Sequence, residues 1–113
     1  MELQYSELDG GIRMIKLIGK LDSAGFNDID LKFTAHCAGQ GVRVLVDLSG
    51  VDFLASIGIR MFTMNAKSLA SRGGKLVLVN PIPDVKHILE ITGILPIIPT
   101  YDSFESAEAV LLA

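Results

Sequence analysis

The hydrophobic positions of this chain repeat with two different periods, and the changes between them mark out the elements. Leu3 to Leu8 and Ile12 to Ile18 flank Asp9-Gly10-Gly11. Glycine there supplies the positive φ of a tight turn, so the pair predicts a hairpin. Gly19-Lys-Leu-Asp22 leads to Ser23, and either Asp22 or Ser23 caps a helix over roughly 24–38. Phe26, Ile29, Phe33 and Cys37 recur at helical spacing and form its buried face. Val42, Val44, Leu45 and Val46 show no strict polar alternation, as expected of a strand covered on both faces. Asp47, Ser49, Gly50 and Asp52 then read as turn chemistry, before Phe53 and Leu54 re-enter the core.

Ser56 follows, and no proline interrupts Ile57 to Ser71, after which Gly73-Gly74 marks a helix stop. Lys75 to Val79 is the next strand, so the unit is a right-handed strand-helix-strand crossover. Asn80-Pro-Ile-Pro83 breaks the chain ahead of a helix over roughly 84–92, with Val85, Ile88 and Leu89 inward and Gly93 ending it. Ile97-Ile98 between two prolines reads as an edge strand. Asp102 or Ser103 caps a last helix that carries Phe104, Ala107, Val110 and Leu111. The sum is an α/β fold: one domain over residues 1–113, a mixed sheet of four to five strands, and about four helices.

Composition narrows the function classes. The net charge of −3 comes without a basic run, so the lysine/arginine footprint of nucleic-acid binding is missing. No apolar stretch approaches the length of a membrane span and Met1 opens no charged-then-apolar run, so neither a span nor a secretion signal is expected. The single cysteine, Cys37, excludes an internal disulfide and reads as core filler. A cytoplasmic protein is expected, monomeric or weakly homodimeric. His36 and His87 lack partners at metal-ligand spacing, so neither a metal nor a cofactor is expected.

The chemistry concentrates at Ser56. A serine at a helix start is first of all a cap, whose oxygen accepts a first-turn amide. It is also a place that tolerates phosphate, because the dipole and free N–H groups at that end favour an anion. At 100° per residue Gly58, Ile59, Phe62, Ala66 and Leu69 share the core side of the following helix. Ile57, Met61 and Met64 fall on the other side or its flank, beside Arg60 and Lys67, and form a stripe suited to docking. Another helix or a second copy of the chain is the competing cover for that stripe. Catalysis is not expected. Leu54-Ala-Ser-Ile-Gly58 has half of a nucleophile elbow but lacks its first glycine, and neither histidine is placed as a base.

The stretch Val46-Asp-Leu-Ser-Gly-Val-Asp-Phe-Leu-Ala-Ser-Ile-Gly-Ile-Arg60 resembles the signature of STAS domains, the anti-sigma factor antagonists. Gly19-Lys-Leu-Asp22 is similar to the family's early loop, and Asn80-Pro81, Val85 to Ile94 and the closing helix resemble its C-terminal half. The resemblance implies a partner-switching regulator. An anti-sigma factor serine kinase would bind the unmodified domain, phosphorylate Ser56 and release it, and a serine phosphatase would reverse the change. It implies a partner surface of Asp22, Ser56, Ile57, Arg60, Met61, Met64 and Asn80. By the residues alone, Asp22 caps a helix or lines the Ser56 loop, and Asn80 turns the chain before Pro81. Ala55 stands where the family usually has aspartate, and Ile57 where serine or threonine is frequent. The alternative is a STAS subunit of a transport complex, with the same surface on an ATPase component.

Overall fold

The two N-terminal runs pair as antiparallel strands β1 (Glu2–Leu8) and β2 (Ile12–Leu21), with Leu8 opposite Ile12. Gly10 and Gly11 close the turn at φ 83° and 78°, values that side-chain-bearing residues rarely adopt. The computed structural model describes residues 1–113 and continues with α1 (Ser23–His36), β3 (Arg43–Leu54), α2 (Ser56–Ser71), β4 (Lys75–Val79), α3 (Pro83–Ile91), β5 (Thr100–Tyr101) and α4 (Phe104–Leu112). The sheet order is β1-β2-β3-β4-β5, antiparallel between the first two strands and parallel thereafter. Five strands and four helices make the mixed α/β domain that periodicity predicts.

The central strand explains the layering. Val44, Val46, Leu48, Val51 and Leu54 join one cluster with residues of α1, α2 and α3, including Phe33, Phe62 and Leu89. Leu45 faces the other way, into a smaller cluster with Ala107 and Leu111 of α4. Three helices therefore cover one sheet face and one helix covers the other. Both faces of β3 are buried, which is why its sequence lacks a polar alternation.

Two expectations need correction. Asp47 to Asp52 is not a turn, because β3 runs unbroken to Leu54. A parallel partner decides this: β2 stays paired as far as Leu21 opposite Leu54, and the register shifts between Lys16 and Ile18 and between Gly19 and Lys20 are absorbed as bulges. The local preference survives only in Asp47, whose Oδ1 accepts the Ser49 N–H at 2.9 Å. Nor is Ile97-Ile98 a strand. Both of their N–H groups donate to the Ile94 carbonyl, which closes a turn and buries Ile98. The edge strand is instead Thr100–Tyr101, joined to β4 through Leu78 and Val79.

Candidate functional site

The end of β2 and the start of α2 meet at one end of the sheet. Leu21 pairs with Leu54, and the Ala55 N–H donates to the Leu21 carbonyl at 2.9 Å. That bond holds Ala55 extended, at φ −94° and ψ 167°, so helical geometry begins at Ser56. Ala55 is the N-cap, and no side chain caps this helix. The expectation that Ser56 caps the helix is thus corrected, since it occupies the first helical position. Its side chain is exposed, at the positive end of a 16-residue helix.

The helix start is fixed by packing. A Cβ on Gly58, in the first turn, would lie 2.5 Å from Leu21 Cγ and 2.9 Å from Leu54 Cδ1. Glycine lets α2 sit this close to β2 and β3 without displacing either leucine side chain. Beyond it Phe62 meets Phe33 of α1, with ring centroids 5.8 Å apart and planes tilted by 46°.

Beside that contact lies a groove of about 540 Å³ between α1 and α2. Ile57, Arg60, Met61, Met64, Asn65 and Ser68 form its α2 wall, and Phe26, Asp30 and Thr34 its α1 wall. Four residues expected on an outer partner surface, Ile57, Arg60, Met61 and Met64, therefore share one cavity. Their exposure differs. Met64 is 59% exposed, whereas Met61 is only 3% exposed and belongs to the core cluster. The placement of Met61 on an outer stripe is corrected: α1 packs on that flank of α2 and turns the buried arc toward Met61 and Asn65. Asn65, 8% exposed, donates its Nδ2–H to the Met61 carbonyl at 2.9 Å, within the helix.

The α1 wall was not legible as a surface. Phe26 fits the predicted buried face of α1, but it is only partly buried because it opens onto the groove. Phe26, Asp30 and Thr34 recur every four residues, a polar-bordered stripe that would have marked the second wall. Leu31, the next residue after Asp30, is 86% exposed.

Asp22 and Asn80 lie apart from the groove. Asp22 is the N-cap of α1, and its Oδ1 accepts the Gly25 N–H at 2.8 Å. Of its two expected roles the cap is realised, and the Leu21–Ala55 bond brings the Ser56 turn alongside. Asn80 turns the chain in the left-handed region, at φ 56°, and its N–H donates to the Tyr101 carbonyl at 2.9 Å. β4 ends opposite Asp47, well before β3 reaches Leu54, so the bonding of Asn80 ties it to β5 rather than to the Ser56 turn.

Burial pushes the Cys37 thiol up to about 12, so it is not a nucleophile at neutral pH. His36 stacks flat on Tyr5, with ring centroids 3.9 Å apart, and its pKa is lowered by burial and then by Arg13. The side-chain positions gather no group of three or more histidine, cysteine, aspartate or glutamate residues suited to a metal.

Comparison with known proteins decides the family. The model of the STAS domain matches residues 6–107. The chain belongs to the STAS domain family. A STAS relative named as an anti-sigma factor antagonist, BtrV of Bordetella bronchiseptica, is 33% identical over 109 residues, covering 96% of this chain and 93% of that protein. An anti-sigma factor antagonist from Mycobacterium paratuberculosis has the same STAS fold, with a TM-score of 0.88, 20% identity, and coverage of 99% of this chain and 94% of that one. The Bacillus cell fate determinant SpoIIAA in its phosphorylated form is also similar, with a TM-score of 0.69, 20% identity, and coverage of 96% and 99%. As a STAS domain the chain places its signature stretch at the β3–α2 junction, where Ser56 is exposed. No helix is long and apolar enough to cross a membrane.

Proposed function

We propose that this protein is an anti-sigma factor antagonist that acts in the cytoplasm by partner switching. The unmodified domain binds an anti-sigma factor that is also a serine kinase, and so frees the sigma factor. The kinase phosphorylates Ser56 and loses its hold, and a serine phosphatase restores the binding form. The observation that carries this reading is the position of Ser56: exposed, first in α2, uncapped, and on the helix that forms one wall of the α1–α2 groove.

The physical consequence follows from charge. A phosphate adds nearly two negative charges, and at a helix N-terminus the fold tolerates them. The groove beside it presents Phe26, Ile57 and Met64, side chains that adapt to an apolar partner surface. A partner fitted to that neutral edge meets a desolvated dianion after modification, which like charges and lost burial both oppose. Asp22 and Asn80 belong to the proposed surface in different ways: Asp22 adjoins the Ser56 turn, and Asn80 reaches a partner only if its footprint extends to the end of β4.

The test is phosphosite mapping. The protein is incubated with ATP and a candidate anti-sigma factor serine kinase, and the product is mapped by mass spectrometry. One phosphate on Ser56, abolished by Ser56→Ala, is expected. Modification at another residue would overturn the assignment.

A further inference from the structure

The residue one turn beyond Ser56 is an arginine with nothing to hold. Arg60 is exposed, and the two ion pairs of the structure, Met1 amine–Asp28 and Lys86–Asp102, do not involve it. It makes no side-chain hydrogen bond of the kind that ties Arg13, Arg43 and Arg72 to main-chain carbonyls. Side chains four apart on a helix are neighbours, and each leans toward the helix N-terminus. From this spacing the Arg60 side chain can reach back to Ser56, across a rise of about 6 Å. An anion placed N-terminal to a cation at this spacing is also the more favourable order.

We propose that Arg60 reads the state of Ser56: free on the groove wall in the unmodified protein, its guanidinium pairs with a phosphate on Ser56. The inference rests on the assignment of Ser56 as the modified residue. One modification then makes two changes to the docking surface. An anion is added at the helix start, and the cation that lined the groove is drawn away from it. Guanidinium suits the task, because its planar fork matches phosphate oxygens and stays charged at every physiological pH.

Other charged groups near the turn compete or oppose. Lys20 pairs with Phe53 across β2 and β3 and is exposed, which makes it the rival cation. Asp22 is engaged with the Gly25 N–H, Asp52 is exposed on β3, and Asp30 lies across the groove on α1. All three carboxylates repel a phosphate, so they do not supply the pairing.

The test places phosphoserine directly at position 56 during translation and follows its titration by 31P NMR. The phosphate of the unsubstituted protein is expected to titrate about half a pH unit below that of Arg60→Gln, because a nearby cation favours the dianion. Arg60→Lys is expected to keep most of the shift, and Lys20→Gln all of it. In the unsubstituted protein the Arg60 Nε–H resonance is expected to move between the two phosphorylation states, a measurement that needs no substitution. Equal titration in the unsubstituted and Arg60→Gln proteins, with a stationary Nε–H signal, would overturn the pairing. A shift lost in Lys20→Gln and kept in Arg60→Gln would assign it to the other cation. The phosphate is installed without a kinase, so a failed pairing leaves Ser56 as the modified residue. A kinase that ignores Ser56 leaves the titration result unchanged.

Discussion

The helices α1 and α2 start within a hydrogen bond of each other, yet their N-termini are finished in opposite ways. At α1 the Asp22 carboxylate occupies the cap and accepts the Gly25 N–H. At α2 the cap residue is Ala55, with no side chain able to do the same. The far end of α1 is closed as well. Arg13 donates to the carbonyls of His36 and Ala38, and Arg72 to those of Cys37 and Gly39. Both helices carry glycine at the third position, where their first turns press on the sheet. The difference therefore lies in the polar finish and not in the packing. A helix end already satisfied by a carboxylate has no room for a second anion, whereas an unsatisfied one has free N–H groups that one could meet.

The largest expected effect comes from the shared feature. A Cβ on Gly25 would overlap the Lys20 carbonyl oxygen, so backbone must move, and Gly25→Ala is expected to cost about 3 kcal/mol in urea unfolding. Gly58→Ala meets only the side chains of Leu21 and Leu54, which can shift, and about 1–2 kcal/mol is expected. A Gly58 variant that is the more damaged of the two would place the tighter seam under α2. Asp22→Ala removes the α1 cap and is expected to cost about 1 kcal/mol. Ala55→Asp tests the reverse: it supplies the missing cap and is expected to gain about 0.5–1 kcal/mol. No gain would mean that the start of α2 is satisfied in some other way, and the contrast between the two helices would fail.

The smallest effect concerns pH at the closed end of α1. His36 is held below its ordinary pKa by burial and by Arg13, so the unfolded chain binds the extra proton first. Stability linked to His36 is therefore complete above pH of about 6.5 and is lost as pH falls from there through the lowered folded value. The loss should be absent in His36→Phe, which keeps an aromatic ring on Tyr5. The readout is the difference in Tm between the two proteins from neutral to mildly acidic pH. A constant difference would remove the linkage.

These contrasts show which kinds of information the sequence carried. The hairpin at Asp9-Gly-Gly11 and the crossover from β3 to β4 were legible because glycines and hydrophobic periods report local geometry. The length of β3 was not, because a parallel partner overrode the turn preference of Asp47, Ser49 and Gly50. Ile97-Ile98 failed for a related reason, since two apolar residues between prolines suit a buried turn as well as an edge strand. At the site, exposed Ser56 and Met64 followed from helical spacing. Met61 did not, since the side of α2 that α1 covers is a tertiary fact. The α1 wall of Phe26, Asp30 and Thr34 was hidden for the same reason.

The proposed function makes the open end of α2 a switch and not merely a helix start. The direct measurement is the affinity of a candidate anti-sigma factor kinase for this protein with serine and with phosphoserine at position 56, with Tm taken on both samples. Binding weaker by about a hundredfold in the phosphorylated protein, at an unchanged Tm, is the expected result. Equal affinity for the two forms would leave Ser56 without a switching role.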